Sequence, residues 1–232
     1  LVFLPKIGED VRNSILTGAS VLVGVMFAVF GQIYQTGANA YDFFLAWTIF
    51  ATLWVLVSNF PPLWLLYIGL GTLTTYLYWD QVAKHWEFIY LAGGLFIINA
   101  SIFLICTWIN KHKKGKIPFY FDHIIAISGA IWCTISNINW IFDSRSEALS
   151  VVIFSTVLFY GLGMWHGIKE KKIFLLGLIP FSLIIIFSGL ILKAMEHDEV
   201  NAFLLVSAFI AVAVSAIIWI LIKMQRRMKN GH

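Results

Sequence analysis

The chain has 232 residues, 60% of them hydrophobic and 16% aromatic against 12% charged, with a formal net charge of +4. A mean hydropathy of +0.85 leaves too little polar surface to cover a water-soluble domain, so the composition excludes one and implies an integral membrane protein. The cations stand in short clusters beside apolar runs, a placement that suits anionic lipid headgroups and excludes nucleic acid as a partner.

Lipid cannot satisfy unpaired backbone, so spanning segments must be closed barrels or helices of about 20 residues. Strand-length alternation of apolar and polar residues is missing, which removes the barrel. Residues 1–5 are apolar up to Pro5 and open without Met, as the tail of an earlier helix would, and the chain reads as the C-terminal part of a longer one. Eight spans follow, at 15–35, 40–58, 63–78, 88–110, 122–142, 148–165, 173–193 and 200–222. The third is the shortest, and the charges decide that it is kept. With eight spans and both ends cytoplasmic, thirteen basic residues lie inside: Lys6, Arg12, Lys111, Lys113, Lys114, Lys116, Lys169, Lys171, Lys172, Lys223, Arg226, Arg227 and Lys229. Only Lys84, Arg145 and Lys193 lie outside, as the positive-inside rule requires. Removing the third span would carry the clusters at 111–116 and 169–172 to the wrong side. The predicted fold class is all-α: a polytopic transmembrane bundle of about eight helices, one domain over 1–232, with both termini cytoplasmic.

Between the first two spans, "GQIYQTGANAYD" at 31–42 concentrates polar residues that the flanking runs lack. Gly37 falls just past a helix end, where a left-handed residue is favoured, and Asn39 is placed to cap the next helix with Asp42 three residues on. These three read as a structural turn. Gln32, Tyr34 and Gln35 are left over. Gln32 and Gln35 share a helix face near the outer membrane boundary, where an amide needs a partner or water, as interhelical glue or as a site. The fifth span is the most polar, with Ser128, Thr134, Ser136, Asn137 and Asn139. Asn137 and Asn139 sit towards its outer end, and the expected binding group is Gln32, Tyr34 and Gln35 within reach of Asn137 or Asn139.

Cys106 and Cys133 fall mid-span and read as small apolar groups, and no Cys/His spacing suits a metal, so no metal site or cofactor is expected. No ionisable residue lies mid-span; His123 and His166 stand at helix ends and read as interfacial. The acidic run Glu196, His197, Asp198 and Glu199 reads as a solvated outer loop. No nucleophile, base and ligand set converges, so catalytic residues are not assigned and a non-enzymatic role is expected.

The stretch "FGQIYQTGANAYDFFLAWTIFATLWVLVSN" resembles the signature of the DUF2157 family of bacterial membrane proteins, whose pattern is GQIYQTGADAYxLFxxWALLxLPW. Gly31, Gln32, Tyr34, Gln35, Thr36, Gly37, Ala38, Tyr41, Phe44, Trp47 and Trp54 fit it, whereas Asn39 stands in place of Asp and Leu53 in place of Pro. The resemblance implies a multi-pass protein of the bacterial inner (cytoplasmic) membrane and supplies no mechanism. Two functions remain open: binding, sensing or passing a small molecule or lipid through the outer face, or acting as a structural or assembly partner in a membrane complex. Expected partners are membrane lipids and a membrane protein or a second copy.

Overall fold

The computed structural model describes residues 8–34, 39–58, 60–113, 117–143, 149–196 and 198–230, with backbone alone for 31–34, 113, 149, 199 and 227–230. Among them are eight helices: α1 (Glu9–Tyr34), α2 (Ala40–Ser58), α3 (Pro61–Gln81), α4 (Phe88–Lys113), α5 (Phe119–Phe142), α6 (Leu149–Lys169), α7 (Ile173–Ala194) and α8 (Glu199–Asn230). The all-helical, polytopic expectation holds. Both end helices outrun their apolar cores: α1 starts six residues before the predicted 15, and α8 continues eight residues past 222 through its basic tail.

Seven helices are long and apolar enough to cross a membrane, and α3 is the exception. It is diluted by Thr72, Thr74, Thr75, Tyr76, Tyr78 and Asp80. Its geometry nevertheless follows α2 along its length. Thr48 Oγ1 meets Thr74 Oγ1 at 3.0 Å, Thr52 Oγ1 meets Tyr67 Oη at 3.4 Å, and the Tyr41 N–H donates to Gln81 Oε1 at 3.0 Å. These pairs define one antiparallel register. At 1.5 Å per residue its 21 residues extend about 31 Å, so α3 has the length to return across the thickness that α2 crosses.

The chain forms two compact units, Leu1–Trp86 with α1–α3 and Glu87–His232 with α4–α8. In the second unit α4 packs on α5, α5 on α7, and α7 on α6 and α8. Phe96, Cys133, Tyr160 and Ile179 form its buried core, one residue from each of α4 to α7. Small residues permit that closeness: a Cβ on Gly163 would lie 2.7 Å from Ile179, and one on Gly189 would lie 2.5 Å from Ile138. Cys106 and Cys133 are free thiols, both buried, as their mid-span positions suggest.

Local chemistry sets the ends. Pro61 and Pro62 start α3, where a missing N–H is harmless, and Pro118 precedes α5 in extended conformation. Between α6 and α7 the Lys172 N–H donates to Gly167 O at 2.9 Å and the Lys171 N–H to Ile168 O at 3.4 Å, with Lys171 left-handed at φ 55°. This paired closure of a helix end makes a tight turn and fixes Lys172 at the head of α7. The same end of unit 2 carries three i,i+4 pairs of an aromatic ring with a basic side chain. Trp108 stacks on His112 at 4.6 Å, Lys169 lies over Trp165 at 4.8 Å, and Lys223 lies over Trp219 at 4.7 Å. Such pairs suit a membrane–water boundary.

The acidic run before α8 has structural work. Lys193 pairs with Glu196 at 2.9 Å. Asp198 caps α8, accepting from the Asn201 backbone N–H at 3.3 Å and from its amide at 2.6 Å. Asp198→Ala is expected to lower thermal stability by about 1 kcal/mol, the worth of an N-cap, while Glu196→Gln leaves it near wild type, since an exposed pair contributes little. Scanning fluorimetry of the purified variants checks the difference.

Candidate functional site

Buried polar groups in unit 2 fall into two sets. The first is closed. Thr134 Oγ1 gives its proton to Ala130 O at 2.7 Å, so the 2.6 Å contact with Ser182 must be donated by Ser182. With that proton used, the 2.5 Å contact between Tyr160 Oη and Ser182 Oγ is donated by Tyr160. Thr156 Oγ1 likewise donates to Val152 O at 2.8 Å and accepts from Asn137 Nδ2 at 2.9 Å, while the same amide donates to Cys133 O at 2.8 Å. Donors and acceptors match from α5 through α6 to α7. Networks of this kind hold helices together.

The second set is open. Asn99, 1% exposed at the middle of α4, donates through Nδ2 to Leu95 O at 2.8 Å, while its Oδ1 has no partner among the described residues. His166 Nε2, near the end of α6, has none either. Both line one cavity of about 60 Å³ between α4, α5, α6 and α7, walled otherwise by apolar side chains that include Phe96, Phe103, Phe159 and Ile179. A second cavity, of about 280 Å³, lies at the helix ends against Asp122, His123, Lys172 and Phe174, and shares Phe103 and Leu175 with the first. Asp122 is 7% exposed; its Oδ2 accepts from Asn110 Nδ2 at 3.2 Å and its Oδ1 is unpartnered. Lys172, His123 and His166 supply the surrounding positive or titratable charge. His123 is held by its Phe174 ring contact at 4.0 Å. The first cavity thus offers an acceptor oxygen on Asn99 among phenyl rings, and the second a carboxylate oxygen on Asp122.

In unit 1 the hairpin of α1 and α2 is set by complementary pieces. The Asp42 carboxylate accepts the Asn39 N–H at 3.1 Å, and the Asn39 carbonyl accepts the Asp42 N–H at 3.1 Å, closing the start of α2. Trp47 Nε1 donates to Ser20 O at 2.7 Å, and its ring lies where a Cβ on Gly24 would be, 2.4 Å away. A cleft of about 400 Å³ beside it is lined by Val21, Gly24, Ala28, Phe43, Phe44 and Trp47. This is the stretch that carried the resemblance. Residues 6–64 match the DUF2157 family, described as predicted membrane proteins. No curated protein and no solved structure matches the chain.

The DUF2157 segment covers α1, α2 and the first turn of α3, so the match lies in unit 1 and the polar cavities lie outside it. Gln32 and Tyr34 close α1; their side chains, and all of Gln35 and Gly37, lie outside the described residues. Asn137 is buried within the closed network, and Asn139 is half-buried with its carbonyl accepting from Asp143 N–H at 2.8 Å. Asn99, Asp122 and His166 have no place in the sequence-derived group, and His166 lines a cavity where a plain interfacial residue was expected. A mid-span Asn in "FIINASIF" is the signal that could have found Asn99.

Proposed function

We propose that the protein is a binding or sensing component of the bacterial cytoplasmic membrane, and that a small molecule with a hydrogen-bond donor enters the α4–α7 cavity of unit 2. The supporting observation is the pairing of an apolar cavity with two buried, unpartnered polar atoms, Asn99 Oδ1 and His166 Nε2. Unpaired buried amides are unfavourable by about 1–3 kcal/mol, and a ligand that pairs them recovers that energy on binding. Binding is favoured over passage because Ile89 and Val152, at the opposite end of α4 and α6 from His166, pack into an apolar cluster with Trp140. Thermal-shift screening of the purified protein against lipids and metabolites tests this. A ligand that raises the unfolding midpoint of the native protein should fail to do so in Asn99→Leu. A shift of equal size in both proteins would place the ligand elsewhere and refute the reading.

Topology decides which compartment supplies the ligand. With both termini cytoplasmic, the Asp122 and Lys172 end faces the cytoplasm. Single cysteines replacing Lys113 and Lys171, in a background lacking Cys106 and Cys133, should resist membrane-impermeant thiol reagents in intact cells, whereas one replacing Asp198 should react. Labelling at the Lys113 position from outside would reverse the assignment.

A second reading, assembly by helix contact, is favoured by α8, of whose apolar window only 6% is buried. Cross-linking in native membranes from a cysteine at Trp219, 63% exposed on that helix, would give a discrete product if a partner covers it and none if lipid does.

A further inference from the structure

Along the contact between α4 and α5 the unpartnered polar atoms are not scattered. Asp122, Gly129 and Ser136 are seven residues apart and share one face of α5. Opposite them on α4 stand Asn110, bonded to Asp122; Asn99, whose Cβ lies 3.5 Å from the position of a Cβ on Gly129; and Gly93, where a Cβ would lie 3.5 Å from Ser136 Oγ. Asp122 Oδ1, Asn99 Oδ1 and Ser136 Oγ all lack partners among the described residues, as does Thr107 Oγ1, one turn from Asn110 on α4. Asp122 is 7% exposed, Asn99 1% and Ser136 1%. Neighbouring hydroxyls show that the pattern is selective, since Thr134, Thr156 and Ser182 are all paired. Fourteen residues of α5 at 1.5 Å each make the column about 21 Å long, roughly two-thirds of a hydrocarbon layer of about 30 Å.

We infer that the α4–α5 seam binds a file of internal water molecules, running from the Asp122 cavity past Asn99 to Ser136. Water is the ligand these atoms select. They are hydroxyl, amide-carbonyl and carboxylate oxygens that no described side chain pairs, and a water needs two to four polar partners in a space of about 10–15 Å³. The cavity of about 60 Å³ beside Asn99 holds several. The file ends blind. Beyond Ser136 the satisfied Asn137–Thr156 pair and the apolar group of Ile89, Val152 and Trp140 leave no unpartnered oxygen among the described residues to continue it. Unit 2 thus carries a water path about two-thirds of the hydrocarbon thickness deep, running from its basic end past the midplane and closed at the other side. The inference goes beyond the small-molecule reading and does not depend on it.

Radiolytic hydroxyl-radical footprinting of the whole protein in lipid nanodiscs tests it, because radicals formed from bound water label the side chains beside that water. Phe96, 3% exposed, and Phe103 line the path, while Phe187, 50% exposed on the outside of the bundle, faces lipid. Modification of Phe96 and Phe103 should exceed that of Phe187 several-fold. In Asn99→Leu the labelling of Phe96 should fall to the Phe187 level, with Phe103 retained near Asp122. Equal, low labelling of all three in the native protein would overturn the water file. Strong labelling of Phe96 that persists in Asn99→Leu would overturn the role given to Asn99. A ligand-dependent thermal shift has no bearing on either result, so failure here leaves the binding reading to its own test.

Discussion

Replacing Gly24 by Val is expected to lower the stability of the protein by about 3 kcal/mol. A Cβ at that position would lie 2.4–2.5 Å from three atoms of the Trp47 indole, far inside van der Waals contact. The ring cannot retreat without breaking its Nε1 bond to Ser20 O at 2.7 Å, and a valine adds two methyl groups to the overlap. Trp47→Leu alone should be milder, since it leaves space and not overlap. In the double variant Gly24→Val with Trp47→Leu, much of the loss should be recovered, because the group that clashes is gone. Scanning fluorimetry on the four proteins measures the coupling. Additive losses would show that Gly24 matters for some reason other than the indole. The cycle also says why a small residue and a tryptophan go together in this hairpin: one helix presents a bare backbone and the other lays a ring on it.

Much of the architecture was legible because the bilayer imposes a strong rule on sequence. Apolar runs had to be helices, and the basic clusters at 111–116 and 169–172 predicted a span over residues 63–78, where the structure has the helix α3, which is not among the seven helices apolar enough to cross a membrane. The structure supplies the reason α3 can be so polar. Its threonines bond to its own carbonyls one turn back, as Thr72 does to Ile68 and Thr75 to Gly71, and Thr74 meets Thr48 on α2. The turn chemistry of Asn39 and Asp42 was legible too, being local in sequence. What could not be read was which amides are paired. Asn99, Asn137 and Asn139 look alike in a sequence, and each is a polar residue in an apolar run. Asn137 is satisfied because Thr156 on α6 stands opposite, whereas Asn99 faces a glycine, and neither neighbour can be assigned without the packing. The absence of ionisable residues mid-span also says nothing about amides, and Asn99 stands at the middle of α4.

That contrast yields the sharpest test of the site, in which one substitution is expected to act with different signs at two positions. Asn137→Leu removes donors to Thr156 Oγ1 and Cys133 O and forces a branched apolar group into a closed polar contact. A loss of about 1–2 kcal/mol follows from the ordinary worth of buried hydrogen bonds between membrane helices plus poor packing. Asn99→Leu removes an oxygen that no described residue satisfies and an Nδ2 bond to a carbonyl on its own helix, and it places apolar volume against a wall of phenyl rings. Its stability should be at or slightly above that of the native protein, since exchanging a polar group and its water for a hydrocarbon of similar size is close to neutral. The two midpoints, read in the same detergent, therefore separate structure from site. If both variants lose stability equally, Asn99 is glue like Asn137, and the cavity beside it is a packing defect. If Asn99→Leu stays firm and loses its response to added ligand or its internal water, then the chain has kept an unsatisfied amide at mid-membrane for a reason other than folding, which is the pattern expected where function and stability make different demands on one residue.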